Sequence, residues 1–406
     1  RYRGETPVSP SHTTTDAGLE GAWELPQELK LLKATVADFV RKEILPEEAK
    51  LDSEAYSLPE DVLARVQGIA RDAGLWCVES PEEYGGAGLS LLGQCVVAEE
   101  AAQCRMGAYV PAGAAFGWDP PNVIFQAPEE QIQKYAVATI DKGEKTFVAI
   151  SEASGGADPG RAIRTTAKLD GDHYVVNGSK TWITGADKSR WGVVFARTGG
   201  PGRKGVSAFI METDMPGFTM APIPVIRPLY PQELFFEDVK VPVENRIGPE
   251  GQGFAVVEDW LVHGRVPYAA GTIGVGTAAL KLAIEYARDR ETFGKKLATR
   301  QAIQWMIADS EIELRAARLL TYQAAWKADL GQDFKMDASI AKVYATETAG
   351  RVVDRCIQIL GGMGVAKELP FERWYREMRI KRIGEGPSEV HRLVVARNLL
   401  GAAARD

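Results

Sequence analysis

Glu385 stands between Gly384 and Gly386 and is followed by Pro387, in the run Arg382-Ile383-Gly384-Glu385-Gly386-Pro387-Ser388-Glu389-Val390-His391. Glycine adopts backbone conformations closed to other residues and lets the chain approach a ligand closely. Proline is pre-set for the first position of a helix. The pattern predicts a tight turn before a Pro-initiated helix, with one carboxylate placed against something flat or bulky, where a catalytic base reaches a bound substrate. The same run is equally compatible with a surface loop carrying a solvated glutamate.

Other clusters have chemistry to offer. Ala149-Ile150-Ser151-Glu152-Ala153-Ser154-Gly155-Gly156-Ala157-Asp158 supplies hydroxyls and exposed backbone N–H groups suited to a planar cofactor with polar edges. Its bland alternative is a Gly/Ser loop. Asn177-Gly178-Ser179-Lys180-Thr181-Trp182-Ile183-Thr184-Gly185 puts a Trp beside a Thr, a ring to stack and a hydroxyl to donate, unless the Trp is simply core. Arg288-Asp289-Arg290-Glu291-Thr292-Phe293-Gly294, followed by Gln301, falls between two helical patterns, where an Arg can neutralise a pyrophosphate. Gln358-Ile359-Leu360-Gly361-Gly362-Met363-Gly364 ends a helix with glycines that permit close backbone approach.

Three regions must position these clusters. From Pro26 to Lys142 the apolar period is helical: Leu29, Leu32, Val36, Phe39 and Val40 recur behind Pro26 at the first helical position, and Val62, Val66, Ile69 and Ala73 run up to a Gly74 stop. A further helix is predicted near 91–104. From Thr146 to Pro242 the period falls to two. A hairpin over 165–169 and 174–176, turning at Asp170-Gly171, and strands over 191–197, 206–212 and 233–241 predict a small antiparallel β-barrel or sandwich. From Gln252 to Ala404 long helical patterns near 252–289, 299–330 and 336–360, with a last helix after Pro387, predict a four-helix bundle. The expected fold class is α+β, divided into a flexible segment 1–25, a helical domain 26–145, a β domain 146–245 and a helical bundle 246–406.

At 406 residues the chain exceeds the span of about 250–300 over which one core keeps growing, so several packed regions are expected. A net charge of −7 argues against a nucleic-acid-binding surface. Cys77, Cys95, Cys104 and Cys356 lack metal-type spacing and read as buried free thiols of a reducing compartment, and His12, His173, His263 and His391 form no ligand cluster. No apolar run approaches the roughly 18 residues of a membrane span. The expected location is the cytoplasm, or the mitochondrial matrix in a eukaryote, with the start at Arg1 leaving room for an upstream processed segment.

In their order and spacing these clusters resemble the acyl-CoA dehydrogenase flavoprotein family, over nearly the whole chain after residue 26. The resemblance implies a helical domain, a middle β-barrel and a C-terminal four-helix bundle holding FAD. It assigns FAD contacts to Ile150, Ser151 and Ala157, and to Trp182, Ile183 and Thr184 around the flavin ring. Contacts to the diphosphate and adenosine arm fall on Arg290, Thr292, Phe293, Gln301, Gln358, Ile359, Gly361 and Gly362, reaching from a neighbouring subunit of a homodimer or homotetramer. Pro387 and Glu389 complete the cofactor set. Ala157, Val262, Arg265 and Gly386 take the substrate positions, and Gly107–Asn122, with Tyr109, Phe116 and Trp118, matches the acyl-pocket wall.

Glu385 then falls on the position of the catalytic base. Some family members carry the base just before the Arg of a bundle helix; here that segment reads Leu261-Val262-His263-Gly264-Arg265, and Gly264 cannot act. The implied reaction is α,β-dehydrogenation of an acyl-CoA thioester to the trans-2-enoyl-CoA, with Glu385 taking the α-proton, flavin N5 accepting the β-hydride, and an electron-transfer flavoprotein receiving the electrons. Three departures stand out: Ala157 replaces a Ser, Val262 an Asp of the CoA-binding helix, and Pro387 a Thr. Alternatives within the fold are an acyl thioester oxidase, a carrier-protein-linked biosynthetic oxidase and a non-catalytic flavoprotein.

Overall fold

The structure, a computed structural model, describes residues 24–404, so the expected flexible segment falls almost entirely outside the described residues. Helix α1 (Gln27–Phe39) buries Val36 and Phe39, and Val40 follows them into the core. Pro26 is extended (ψ 153°) and is therefore the cap residue before the helix, not its first turn. Helix α2 (Glu60–Asp72) ends as expected at Gly74, which takes φ +69°. Helix α3 (Leu91–Ala101) is apolar nearly all round and is buried between the N-terminal helices and the bundle. Its first turn is satisfied twice over. Ser90 Oγ accepts from Gly93 N, and the carboxylate of Asp329 accepts from Leu91 N at 2.7 Å and Leu92 N at 3.1 Å.

The middle region is a single eight-stranded sheet: β1 (Phe147–Ala149), β2 (Thr166–Asp170), β3 (His173–Ile183), β4 (Trp191–Arg197), β5 (Val206–Glu212), β6 (Phe218–Pro222), β7 (Gln232–Pro242) and β8 (Arg246–Ile247). Its order is β6-β7-β3-β2-β4-β5-β8, with β1 beside β4. Two expectations are corrected. The barrel is not closed, because β6 and β8 end the sheet without pairing to each other, and the sheet is mixed, because β1 lies parallel to β4. The parallel pair follows from how the chain arrives: β1 enters from the helical region and lies across Gly192, where any Cβ would meet the Phe147 ring at 2.5 Å. The hairpin strand β3 also runs past Val176 to Ile183, its register shifting where Gly178 takes φ +143°.

Three long helices form the C-terminal frame, α4 (Gly253–Asp289), α5 (Gln301–Asp329) and α6 (Lys335–Leu360). The fourth position of the expected bundle is shared. Helix α8 (Ser388–Leu400) packs on α6, as does α7 (Phe371–Lys381), which the sequence reading did not separate. Charged residues mask the pattern of α7, but Phe371, Trp374 and Met378 line one buried face, and Trp374 Nε1 donates to Cys104 O at 3.1 Å. All four cysteines are buried free thiols. Among the described residues no helix is long and apolar enough to cross a membrane, and no group of His, Cys, Asp and Glu could hold a metal ion.

A buried carboxylate fixes the strip that leads to the site. Glu48 accepts from Arg105 N at 2.8 Å and Met106 N at 3.0 Å, and burial pushes its pKa up. Glu48→Ala is expected to destabilise the fold by about 1–3 kcal/mol for each backbone donor left unsatisfied, read by denaturant unfolding. An unchanged midpoint would show that this strip is held elsewhere.

Candidate active site

Glu385 takes φ +56°, an uncommon conformation for a residue with a Cβ, which costs on the order of 1–2 kcal/mol. Its carbonyl accepts from Arg265 Nε at 3.2 Å and His391 Nε2 at 3.0 Å, and the next carbonyl, of Gly386, accepts from Lys342 Nζ at 2.6 Å. Arg265 comes from α4, Lys342 from α6 and His391 from α8. Because a carbonyl only accepts, His391 carries its proton on Nε2, leaving Nδ1 to accept from Ser339 Oγ at 3.2 Å. Burial drives the His391 pKa down to about 4, so the ring is neutral at pH 7. Gly386 takes φ +92°, and a Cβ there would stand 2.9 Å from His391 Nε2. Pro387 is extended, so it caps α8 rather than opening it.

Burial raises the Glu385 carboxyl pKa above the ordinary range, and the charges of Arg265, Lys381 and Lys342 partly offset this. The backbone N–H groups of Glu385 and Gly386 meet no main-chain acceptor among the described residues. Lys342, wholly buried with its pKa lowered to about 8 by burial, escaped the sequence reading. A lysine on the apolar face of a helix was the available signal.

The two clusters expected at the flavin ring lie side by side, since Thr181 N donates to Ser151 O at 2.9 Å. A second missed group joins them. Lys180 is wholly buried and donates to Glu152 Oε1 at 2.7 Å and to Ile150 O at 3.2 Å, while Glu152 also accepts from Arg164 N and Thr165 N. Burial works against ionising Glu152, yet the Lys180 ammonium and these donors hold its pKa below the usual value. On this base Trp182 is held at φ +65° with its indole 59% exposed, Thr184 is exposed, and Ser151 is partly so. Ile183 points instead into the sheet core. Ala157 is exposed on the neighbouring loop.

The third group forms a separate patch where α4 ends, α5 begins and α6 ends. Arg290, Gln301, Gln358, Gly361 and Gly362 are exposed, Thr292 partly so, and Phe293 is 97% exposed at φ +49°. Ile359 packs inward among the bundle residues. No hydrogen bond, ion pair or ring contact among the described residues joins this patch to the Ser151–Trp182 rim. Val262, three residues before Arg265 on α4, is 5% exposed and packs in an apolar cluster with Leu91, Leu92, Cys95 and Val266. An Asp there would be a buried, unpaired charge. Glu389 is exposed on the first turn of α8.

Residues 26–142, 147–239 and 251–400 match the N-terminal, middle and C-terminal domain models of acyl-CoA dehydrogenase. The chain belongs to the acyl-CoA dehydrogenase family. It is 38% identical over 384 residues to the mitochondrial short-chain specific acyl-CoA dehydrogenase of Bos taurus, covering 93% of this chain and 91% of that one. Butyryl-CoA dehydrogenase from Megasphaera elsdenii superposes with a TM-score of 0.83 at 32% identity, over 94% and 100% of the two chains. The structure of PigA with FAD and proline gives 0.85 at 25% identity, over 93% and 99%. As an acyl-CoA dehydrogenase family member the chain is an FAD-dependent oxidoreductase acting on acyl-CoA. Its residues fit that cofactor: an exposed indole held at a strained φ offers a flat apolar rim, with the Ser151 and Thr184 hydroxyls beside it.

The buried cations set a testable pH dependence. If Glu385 is the catalytic base it must be ionised to act, and the acid limb of kcat/KM should then lie above the ordinary carboxylate range. Lys342→Met removes a charge that favours ionisation and should move that limb to still higher pH. An unmoved profile would detach Lys342 from the base.

Proposed function

We propose that this acyl-CoA dehydrogenase oxidises an acyl thioester between Cα and Cβ, with Glu385 as the base. The observation that carries the reading is the raised, strained carboxylate of Glu385 on a loop whose carbonyls are held by Arg265, His391 and Lys342. When bound, FAD supplies the acceptor for the β-hydride. Glu385 takes the α-proton, which its raised pKa allows it to hold. The N–H groups of Glu385 and Gly386, which meet no main-chain acceptor, are assigned to bond the thioester oxygen as it gains enolate charge.

The carrier is CoA in this reading, and its anionic groups have a seat. A cavity of about 770 Å³ beside the Ser151–Asp158 loop is lined by Arg161, Arg164 and Arg197. Arg197 spends its donors on the Ile163, Gly160, Gly200 and Gly202 carbonyls, leaving Arg164 at the surface to meet phosphates, with Arg161 beside it in a 3.7 Å ion pair to Asp158. Ser151, Trp182 and Thr184 are assigned to the flavin ring. Arg290, Thr292, Phe293, Gln301, Gln358, Gly361 and Gly362 are assigned to the cofactor of a second subunit, in a homodimer or homotetramer. Their exposure at one end of the frame, away from the Ser151–Trp182 rim, supports this. An electron-transfer flavoprotein is the proposed acceptor.

Glu385→Gln should keep FAD and fold yet slow flavin bleaching by substrate about 10²–10⁴-fold. Adding Gly264→Glu to that variant should restore part of the rate. Gly264 precedes Arg265, which touches the Glu385 carbonyl, and a Cβ at 264 meets nothing within 4 Å. Bleaching at the original rate in Glu385→Gln would move the chemistry to another residue.

Arg290→Ala should weaken FAD binding about 10–100-fold, the scale of one lost charge-assisted hydrogen bond, without altering the single-subunit fold. Titration of the apoprotein with FAD measures this. Unchanged affinity together with a monomeric holoenzyme would sink the shared-cofactor arrangement.

A further inference from the structure

Beside the Glu385 loop lies a buried group of charges, of which only Lys381 also bears on the Glu385 carboxyl. Lys381 and Glu377, one helical turn apart on α7, are 4% and 2% exposed, and Arg227, from the loop before β7, is 4% exposed. Arg227 stacks its guanidinium 3.3 Å from the Tyr109 ring centre, and its Nε and Nη1 have no hydrogen-bond partner. Lys381 Nζ sits 4.3 Å from the Tyr109 ring and 4.0 Å from the Tyr268 ring, donating to Ala108 O at 3.3 Å. Glu377 is the carboxylate among them, and its Oε1 is also unpartnered. Tyr109 and Tyr268 are partly exposed, with both cations lying beneath their rings.

This group is continuous with the base. Tyr268 donates to Lys381 O at 3.3 Å and leans over Gly384, where a Cβ would stand 2.6 Å from the tyrosine hydroxyl. Arg227, Lys381 and Arg373 all act on Glu377, and Lys381 also acts on Glu385, so three cations out of water face two carboxylates. A buried charge without a partner is strongly unfavourable, and two unpaired guanidinium donors add to the imbalance. Burial pushes the Lys381 pKa down, as expected of an ammonium short of counter-charge. The buried Lys180, by contrast, has the Glu152 carboxylate at 2.7 Å.

We infer that Arg227, Lys381, Tyr109 and Tyr268 form the far end of the acyl pocket, and that the acyl group taken there carries a carboxylate at the end remote from the thioester. The inference rests on the proposed dehydrogenation at Glu385 and adds the substrate class. The carboxylate enters past the tyrosine rings, supplies the missing negative charge, and accepts from the unpaired Arg227 donors and the Lys381 ammonium.

The experiment compares ω-carboxyacyl-CoA thioesters with four- to six-carbon acyl chains against alkyl acyl-CoAs of the same length, using the FAD-loaded enzyme and an artificial electron acceptor. The expected result is a kcat/KM ratio of about tenfold or more in favour of the carboxylated series. Lys381→Met and Arg227→Met should each reduce that ratio about tenfold, and Arg227→Lys should retain more of it than Arg227→Met. The unmodified enzyme alone decides the matter if a variant fails to fold: a ratio at or below one overturns the subsite while leaving the dehydrogenase reading intact. A ratio that survives both Met substitutions also overturns it. No flavin bleaching by either series would fell the dehydrogenase reading, and the subsite with it.

Discussion

Everything about the site depends on two backbone carbonyls being held by cationic and imidazole donors from three different helices. Glu385 O is gripped by Arg265 and His391, and Gly386 O by Lys342, so the loop carrying the base has little freedom to relax from its left-handed turn. The arrangement separates two tasks. The donors act on the main chain and fix geometry, while their charges act through space on the carboxylate and temper the rise in pKa that burial imposes. His391 takes the first task alone, because burial keeps it neutral.

The Ser151–Trp182 side of the molecule uses a different device for the same end. The Lys180–Glu152 pair is buried and bonds the Ile150 carbonyl and the Arg164 and Thr165 N–H groups. A buried pair of this kind contributes little net stability against an apolar alternative, but losing one partner costs about 3–5 kcal/mol.

Much of this was legible in the sequence because glycine and proline carry backbone information directly. The Gly384-Glu385-Gly386-Pro387 run announced a turn, Gly74 a helix end, and the change from helical to twofold period the sheet between helical regions. What stayed hidden was set by contacts distant in sequence. The short β1 is a strand only because it lies along β4, α7 is masked by its charged residues, and closure of the sheet depends on whether β6 and β8 meet, which no local pattern reports. Lys342, Lys180 and Lys381 were each visible as charges but not as buried ones.

The three matched segments are units of sequence, not of mechanics. Helix α3 has its N-terminus capped by Asp329 of α5, and its Glu99 carboxylate accepts from Arg318 and Tyr322 of the same helix. Gly274 of α4 passes so close that a Cβ there would be 2.0 Å from the Glu99 carbonyl. The N-terminal helices therefore cannot be exchanged with those of a relative as a cassette. A graft must carry its own Asp329, Arg318 and Gly274 equivalents, which ties α3 to α5 and to α4, the helix that supplies Arg265.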